Sequence, residues 1–341
     1  MKTMSAVRYR GPGEAFVLSA VAIPEPGPGQ VRIRVAACGM CHTELHLRDG
    51  LLDLGRRDFT IGHEVAGVID AVGEDVDATR IGERVVVYYY EGCMHCAYCA
   101  AGDEHLCPQV AAQPGFISDG GYAEYMVVRA RNCVTVPDHV SLTDIAPMGC
   151  AGTTAVHAGK LADITPGDWV VVHGAGGVGL AVLQYARHLG GRVIAIGLGA
   201  ERLALAMSLG AEATIDAAAI ADPAAEVMRV TGEGADVVFE LVGKESTMRT
   251  SVAMLRRRGR LVLIGYSTDE FRVHPIGIIV REAHVIGSVG ATLTDLHEIV
   301  DLVAKGVVRP LIDRTLPLTA FAEGFSAMEA QSILGRIVLV P

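Results

Sequence analysis

Four cysteines in the stretch "GCMHCAYCAAGDEHLC", Cys93, Cys96, Cys99 and Cys107, follow the spacing C-x2-C-x2-C-x7-C. Zinc takes four soft ligands at tetrahedral corners about 2.3 Å away, and short C-x-x-C turns wrap the backbone around such an ion. Four thiolates leave no open coordination position, so the chemistry is that of a structural zinc. An iron–sulfur cluster uses the same ligand type and is the rival reading. Unrelated reduced cysteines are the bland one, and the regular spacing argues against it.

The other four cysteines are dispersed: Cys38 and Cys41 in "AACGMCHTELH", Cys133 in "RARNCVTVP", Cys150 in "APMGCAGTTAVH". The stretch "IGHEVAGVIDAVGEDV" adds His63 and Glu64 between two glycines. Taken singly, each cysteine reads as a small buried hydrophobe, and His63 as a packed core histidine. Two thiolates and an imidazole are also the set that leaves zinc one position for water or substrate. Spacing alone does not bring them together.

A third chemical signal is "VVVHGAGGVG", which satisfies G-x-G-x-x-G with Gly174, Gly176 and Gly179, and Gly177 and Val178 between them. In a dinucleotide fingerprint the first glycine makes the turn and the second lets backbone approach the pyrophosphate. The third permits close strand–helix packing, and the pyrophosphate sits on the positive end of the helix. The next strand, "VIAIGLGAERL", ends on Gly197 where an NAD enzyme usually has an acidic residue for the adenine ribose. Its absence also removes repulsion against the extra phosphate of NADP. Arg202 adds positive charge for either cofactor, so the expectation leans slightly to NADP.

These residues need elements to hold them. "QVRIRVAACG" alternates Val31, Ile33 and Val35 with Arg32 and Arg34, as a half-buried strand does, within a glycine- and proline-broken, β-rich first half. From about Thr153 the texture becomes strand–helix alternation, with apolar runs closed by glycine. That pattern predicts an α/β arrangement with a parallel sheet covered on both faces. "RRRGR", Arg256 to Arg260, reads as a helix C-terminus ahead of the strand "RLVLIG" rather than a phosphate site. The strand-like tail "GRIVLVP" has no place from pattern alone.

The chain has 341 residues, half of them apolar, and a formal net charge of −10. That length suggests two domains, and the acidic balance argues against nucleic acid as a partner. The N-terminus lacks the apolar core of a signal peptide. The uncharged run Trp169 to Ala186 contains "HGAGGVG" and suits a buried strand, turn and helix better than a membrane span. The expectation is a soluble cytoplasmic protein with no membrane partner, in which metal binding outranks disulfides.

Together, "PGPGQVRIRVAACGMCHTELH", "GHEVAGVIDAVG", "IGERVVV", the cysteine lobe, "GAGGVG" and "GRIVLVP" resemble, nearly end to end, the zinc-dependent alcohol dehydrogenases of the medium-chain dehydrogenase/reductase superfamily. The resemblance implies a GroES-like catalytic domain (1–152 and 290–341, with a zinc lobe at about 91–110) interrupted by a Rossmann NAD(P)-binding domain (153–289). The tail returns to the catalytic part, and the active site lies in the cleft between domains. It implies two zincs per chain: a catalytic one on Cys41, His63 and Cys150, and a structural one on the Cys93 quartet. Glu64 matches a glutamate near the zinc, and Glu44 stands where the family commonly has an aspartate that hydrogen-bonds the zinc-bound histidine. Thr43 and His46 match a proton relay from the alcohol through the cofactor ribose to water. Thr154 and Val178 match nicotinamide contacts, and Arg336 resembles an arginine that pairs with the cofactor pyrophosphate. Cys38 and Cys133 match no ligand.

The activity so implied is reversible oxidation of an alcohol to an aldehyde or ketone with NAD(P), by a homodimer or homotetramer. Reduction of an activated alkene or imine on the same fold is the alternative, and a non-catalytic NAD(P)-binding protein a more distant one. Pocket walls are expected around Leu54, Phe59, Tyr88, Tyr89, Phe116 and Val289; the physiological substrate is not readable.

Overall fold

The computed structural model describes residues 2–341, which form two compact units. One runs up to Thr153 and takes in Ala291–Gly306 and Pro310–Pro341; the other comprises Thr154–Gly290 with Val307–Arg309.

In the first unit the strand Gln30–Gly39 is the hub. It pairs antiparallel with Glu64–Val72, Tyr125–Arg129 and Arg336–Val340. The alternation read from the sequence is realised, with Val31, Ile33 and Val35 buried in one apolar core with Ile69, Val85 and Met126. The terminal strand Arg336–Val340 lies between Gln30–Gly39 and Ile312–Pro317, which gives the tail its place.

The second unit is built on six parallel strands in the spatial order Ala213–Asp216, Arg192–Gly197, Trp169–His173, Ala235–Glu240, Leu255–Leu263, His284–Gly287. This order is that of a Rossmann sheet, doubly wound about its first strand. Val170 to Val172, Val193 to Ile196 and Val237 to Phe239 are fully buried, as strands covered on both faces must be. The uncharged run resolves into the strand Trp169–His173 and the helix Gly177–His188. Among the described residues no helix is long and apolar enough to cross a membrane.

The arginine cluster corrects the sequence reading. Its helix, Glu245–Ala253, ends before the arginines, which lie inside the strand Leu255–Leu263. Arg258 adopts φ 58°, and the pairing register slips between Ala235 and Val237. Three of its four arginines form ion pairs: Arg256 with Asp236, Arg258 with Glu282 at 2.9 Å, Arg260 with Asp168 at 2.9 Å. The cluster staples neighbouring elements and caps no helix.

Candidate metal centre and cofactor loop

Strand pairing brings the dispersed residues together. Gly39 at the end of its strand is in register with Glu64 at the start of the next. This places Cys41, at the head of the helix His42–Arg48, beside His63 and Glu64. Cys150 enters at the junction of the turn Ala146–Gly149 and the helix Ala151–Ala162. The donor atoms of Cys41, His63, Glu64 and Cys150 all lie within 4.8 Å of one another, and all four residues are buried. Donors at the corners of a zinc–thiolate tetrahedron stand about 3.8 Å apart, so this donor set fits zinc in both chemistry and size.

The approach to His63 is shaped by glycine. Gly62 has φ 93°, and a Cβ there would lie 2.2 Å from the Tyr122 ring. A Cβ on Gly120 would lie 2.2 Å from Gly62 O, and one on Gly115 2.7 Å from Gly62 C. Main chain packs on main chain at the ligand.

His63 Nδ1 lies 2.7 Å from Glu44 Oε1, with both side chains 1% exposed, while Glu44 Oε2 accepts from Cys41 N at 2.8 Å. The longer side chain thus reaches the histidine and also ties down the Cys41 backbone. With Nδ1 facing Glu44, Nε2 is the ring nitrogen left for a ligand. Burial alone would lower the His63 pKa, but the Glu44 carboxylate and the Cys41 thiolate hold it well above the usual histidine value. Glu64 is pushed up to about 8 by burial, against the pull of Arg336. The Cys41 thiol is held well below its ordinary value by the hydrogen bond from Cys150 and by Arg336; that same contact with Cys41, together with burial, pushes Cys150 up.

Thr43 Oγ1 sits 3.4 Å from Cys41 Sγ. His46 follows one turn later on the same helix, half-buried, its pKa lowered by burial and by His42, whose ring stands 5.4 Å away edge-on. Arg336 is buried, with Nη2 3.0 Å from Glu64 Oε1 and Nη1 donating to Met40 O at 3.2 Å. Its guanidinium is engaged beside the donor cluster, which no sequence signal foretold because Glu64 and Arg336 lie far apart along the chain. Of the expected pocket walls, Phe116 and Tyr89 pack on His63 at ring distances of 4.7 and 5.0 Å. Phe59 packs on Tyr9 at 5.2 Å, Tyr88 donates to Ala291 O at 2.8 Å, and Leu54 and Val289 are exposed.

The sulfurs of Cys93, Cys96, Cys99 and Cys107 also lie within 4.8 Å of one another, with Cys93–Cys99 at 4.0 Å and Cys96–Cys107 at 3.8 Å. Backbone N–H groups of Cys93 and Gln109 point at Cys107 Sγ, at 3.3 and 3.4 Å, as they do toward thiolate charge. The lobe is clamped from outside by Arg131 on Glu104 and Arg129 on Glu91.

In the other unit, Gly174 takes φ 120°, and a Cβ on Gly179 would come within 1.9 Å of Gly174 O. A Cβ on Gly176 would meet nothing within 4 Å, so that position keeps space above the turn. Gly176 caps the helix Gly177–His188 without a side-chain bond, leaving the first N–H groups and Val178 at an end suited to an anion. Gly197 closes its strand, Arg202 lies in the first turn of Ala200–Ser208, and Thr154 is buried in Ala151–Ala162.

Residues 27–138 match the alcohol dehydrogenase GroES-like domain and residues 177–305 the zinc-binding dehydrogenase family. An alcohol dehydrogenase of Geobacillus stearothermophilus is 35% identical over 93% of this chain and 93% of its own. An NAD-dependent alcohol dehydrogenase of Sulfurisphaera tokodaii is 34% identical over 99% of this chain and 100% of its own. The crystal structure of an alcohol dehydrogenase from Aeropyrum pernix superposes with a TM-score of 0.93 at 33% identity, covering 99% of this chain and 100% of that one. The fold and site define a two-unit, zinc-type oxidoreductase of the medium-chain superfamily. Within that class, the chain belongs to the zinc-dependent alcohol dehydrogenase family.

Proposed function

We propose that this protein catalyses the reversible oxidation of an alcohol to an aldehyde or ketone, with NAD(P) as hydride acceptor. The observation that carries the reading is the buried convergence of Cys41, His63 and Cys150, backed by Glu44. Cys41, His63 and Cys150 would hold a zinc ion, which would supply Lewis-acid polarisation of the substrate oxygen, and NAD(P) would supply the hydride chemistry. Glu44 orients His63 and Cys41. The Thr43 hydroxyl, next to Cys41 Sγ, would accept the alcohol proton while passing its own on through the cofactor ribose to His46 and so to solvent. Glu64, paired with Arg336, keeps its carboxyl group beside the donors.

The Cys93 quartet would hold a second, structural zinc. The catalytic domain would comprise 1–152 and 290–341, and the cofactor domain 153–289, in which the Gly174 to Gly179 loop takes the pyrophosphate and Thr154 and Val178 the nicotinamide. By the family resemblance, Arg336 would serve the pyrophosphate. The Sulfurisphaera tokodaii relative is NAD-dependent; the carboxylate missing at Gly197, with Arg202 close by, supports a lean to NADP here. The edge strand His284–Gly287 and the neighbouring Ile279 and Val280 are exposed, a surface that supports a homodimer or homotetramer. Eight free cysteines suit a reducing, cytoplasmic setting.

Steady-state rates on primary, secondary and aryl alcohols, ketones and enones, each with NAD and NADP, test the reading. Turnover of alcohols and ketones supports it. Activity confined to enones or imines, or cofactor binding without turnover and without effect of Cys41→Ser, sinks it.

A further inference from the structure

At the end of the helix Gly177–His188 away from the glycine loop, the second unit has a surface cavity of about 180 Å³ lined by Gln184, Arg187, His188, Leu209 and Val307. Its frame is fixed. Gln184 donates through Nε2 to Leu180 O at 3.2 Å and to Arg309 O at 3.1 Å, and its Oε1 accepts from Arg309 N at 2.8 Å, which holds the segment Val307–Arg309 against the helix. Arg187 is held as firmly. Its Nη1 donates to Leu209 O at 3.1 Å, and the guanidinium lies against Gly210, where a Cβ would come 2.3 Å from Cζ. Gly210 takes φ 92°, so glycine serves there for both the turn and the space. The Nε–Nη2 edge of Arg187 is left over, the fork that meets an oxyanion with two parallel N–H groups. The chain carries a net charge of −10, and Arg192 on the following strand is answered by Glu212. Arg187 has no carboxylate partner among the described residues. His188, exposed beside it, adds a second donor, and Leu209 and Val307, 9% and 39% exposed, add apolar surface.

We propose that this cavity is a binding site for a small organic carboxylate, its oxyanion on the Arg187 fork and its short alkyl chain against Leu209 and Val307. A preset cation with no acid to answer it, set beside apolar side chains, is complementary to a molecule that carries one carboxylate on an apolar body. The volume lies below the roughly 300–1,000 Å³ that drug-sized ligands fill, which limits that body to a few carbons. One fork and a few covered methylenes correspond to weak binding, of millimolar order. The site is independent of the reaction at the metal centre, since none of its five residues belongs to the donor cluster or to the glycine loop.

The test reads the cavity locally. Phenylglyoxal labels accessible guanidinium groups, and peptide mass spectrometry of the labelled full chain follows Arg187 and, as a control, the exposed Arg257. Butyrate should slow labelling of Arg187 several-fold and leave Arg257 unchanged, while acetate and inorganic phosphate at the same ionic strength should need higher concentrations for the same protection. Val307→Ala, which trims the apolar wall, should raise the half-protecting concentration of butyrate by about two- to fourfold and leave that of acetate unchanged. No protection by butyrate, equal protection at Arg257, phosphate as effective as butyrate, or an unchanged butyrate concentration in Val307→Ala each overturns the assignment.

Discussion

His63 Nδ1 and Glu44 Oε1 stand 2.7 Å apart in a setting where both side chains are shut off from solvent. Because Glu44 also accepts from the Cys41 backbone, one carboxylate orients two of the proposed ligands. Removing it leaves a buried imidazole and a buried N–H without their partner. Glu44→Ala is expected to lower zinc affinity or turnover by about 10- to 100-fold, with Glu44→Gln intermediate. Competition with a chromogenic chelator, alongside kcat, measures both.

Two distinct donor clusters predict two separable ions. Replacing His63 with alanine should abolish turnover and reduce bound zinc from two per chain to one, leaving the Cys93 quartet loaded. Elemental analysis of purified protein decides this; loss of both ions, or of neither, would count against two independent sites.

Gly92 offers a test of the quartet that spares its thiols. A Cβ at this position would lie 2.6 Å from Cys99 Sγ, so Gly92→Ala must displace a sulfur. The variant should release its lobe zinc to a chelator faster than the unaltered protein and melt several degrees lower. Retention of zinc with an unchanged Tm would show that the sulfur is not a ligand.

His173 ties stability to pH. Burial lowers its pKa from 6.5 to about 4, with Nδ1 2.9 Å from Ser251 Oγ. Above pH 6.5 neither folded nor unfolded chain carries this proton. Between 6.5 and 4 only the unfolded chain takes it up, so stability falls as pH falls, by up to about 3 kcal/mol at pH 4 and below. The difference in urea midpoint between the unaltered protein and His173→Asn, followed from pH 7.5 to 4.5, should shrink across that window. A constant difference would refute the linkage.

Cofactor preference should respond to Gly197. Gly197→Asp places a carboxylate where an adenine ribose would sit, adding a hydrogen bond for NAD and repulsion for the phosphate of NADP. The expected outcome is a fall in kcat/KM with NADP and a rise with NAD. A Cβ there would lie 3.1 Å from Ala175 Cβ, so a modest loss with both cofactors should accompany the shift.

Local chemistry was the most legible part of the sequence. The cysteine quartet sits within fifteen residues, where spacing itself constrains distance, and the strand–glycine–helix texture announced the parallel sheet. Cys41, His63 and Cys150 needed more, because their proximity depends on the pairing of Gly39 with Glu64 and on a distant turn. The arginine cluster misled because cations before a glycine resemble a helix end, whereas the strand had already begun at Leu255. The engagement of Arg336 by Glu64 could not be read at all, since it is a contact between chain segments that only the fold makes neighbours.

Gly62, Gly115 and Gly120 interlock behind His63 with no room for a methyl group. The ordering entropy of the His63 side chain is therefore met when the chain folds, whether or not an ion arrives. A demetallated protein keeps its imidazole aimed, and reloading resembles docking into a rigid receptor. The cysteine lobe is built differently: its helices span only five and three residues, and it is held from outside by Arg131 on Glu104 and Arg129 on Glu91.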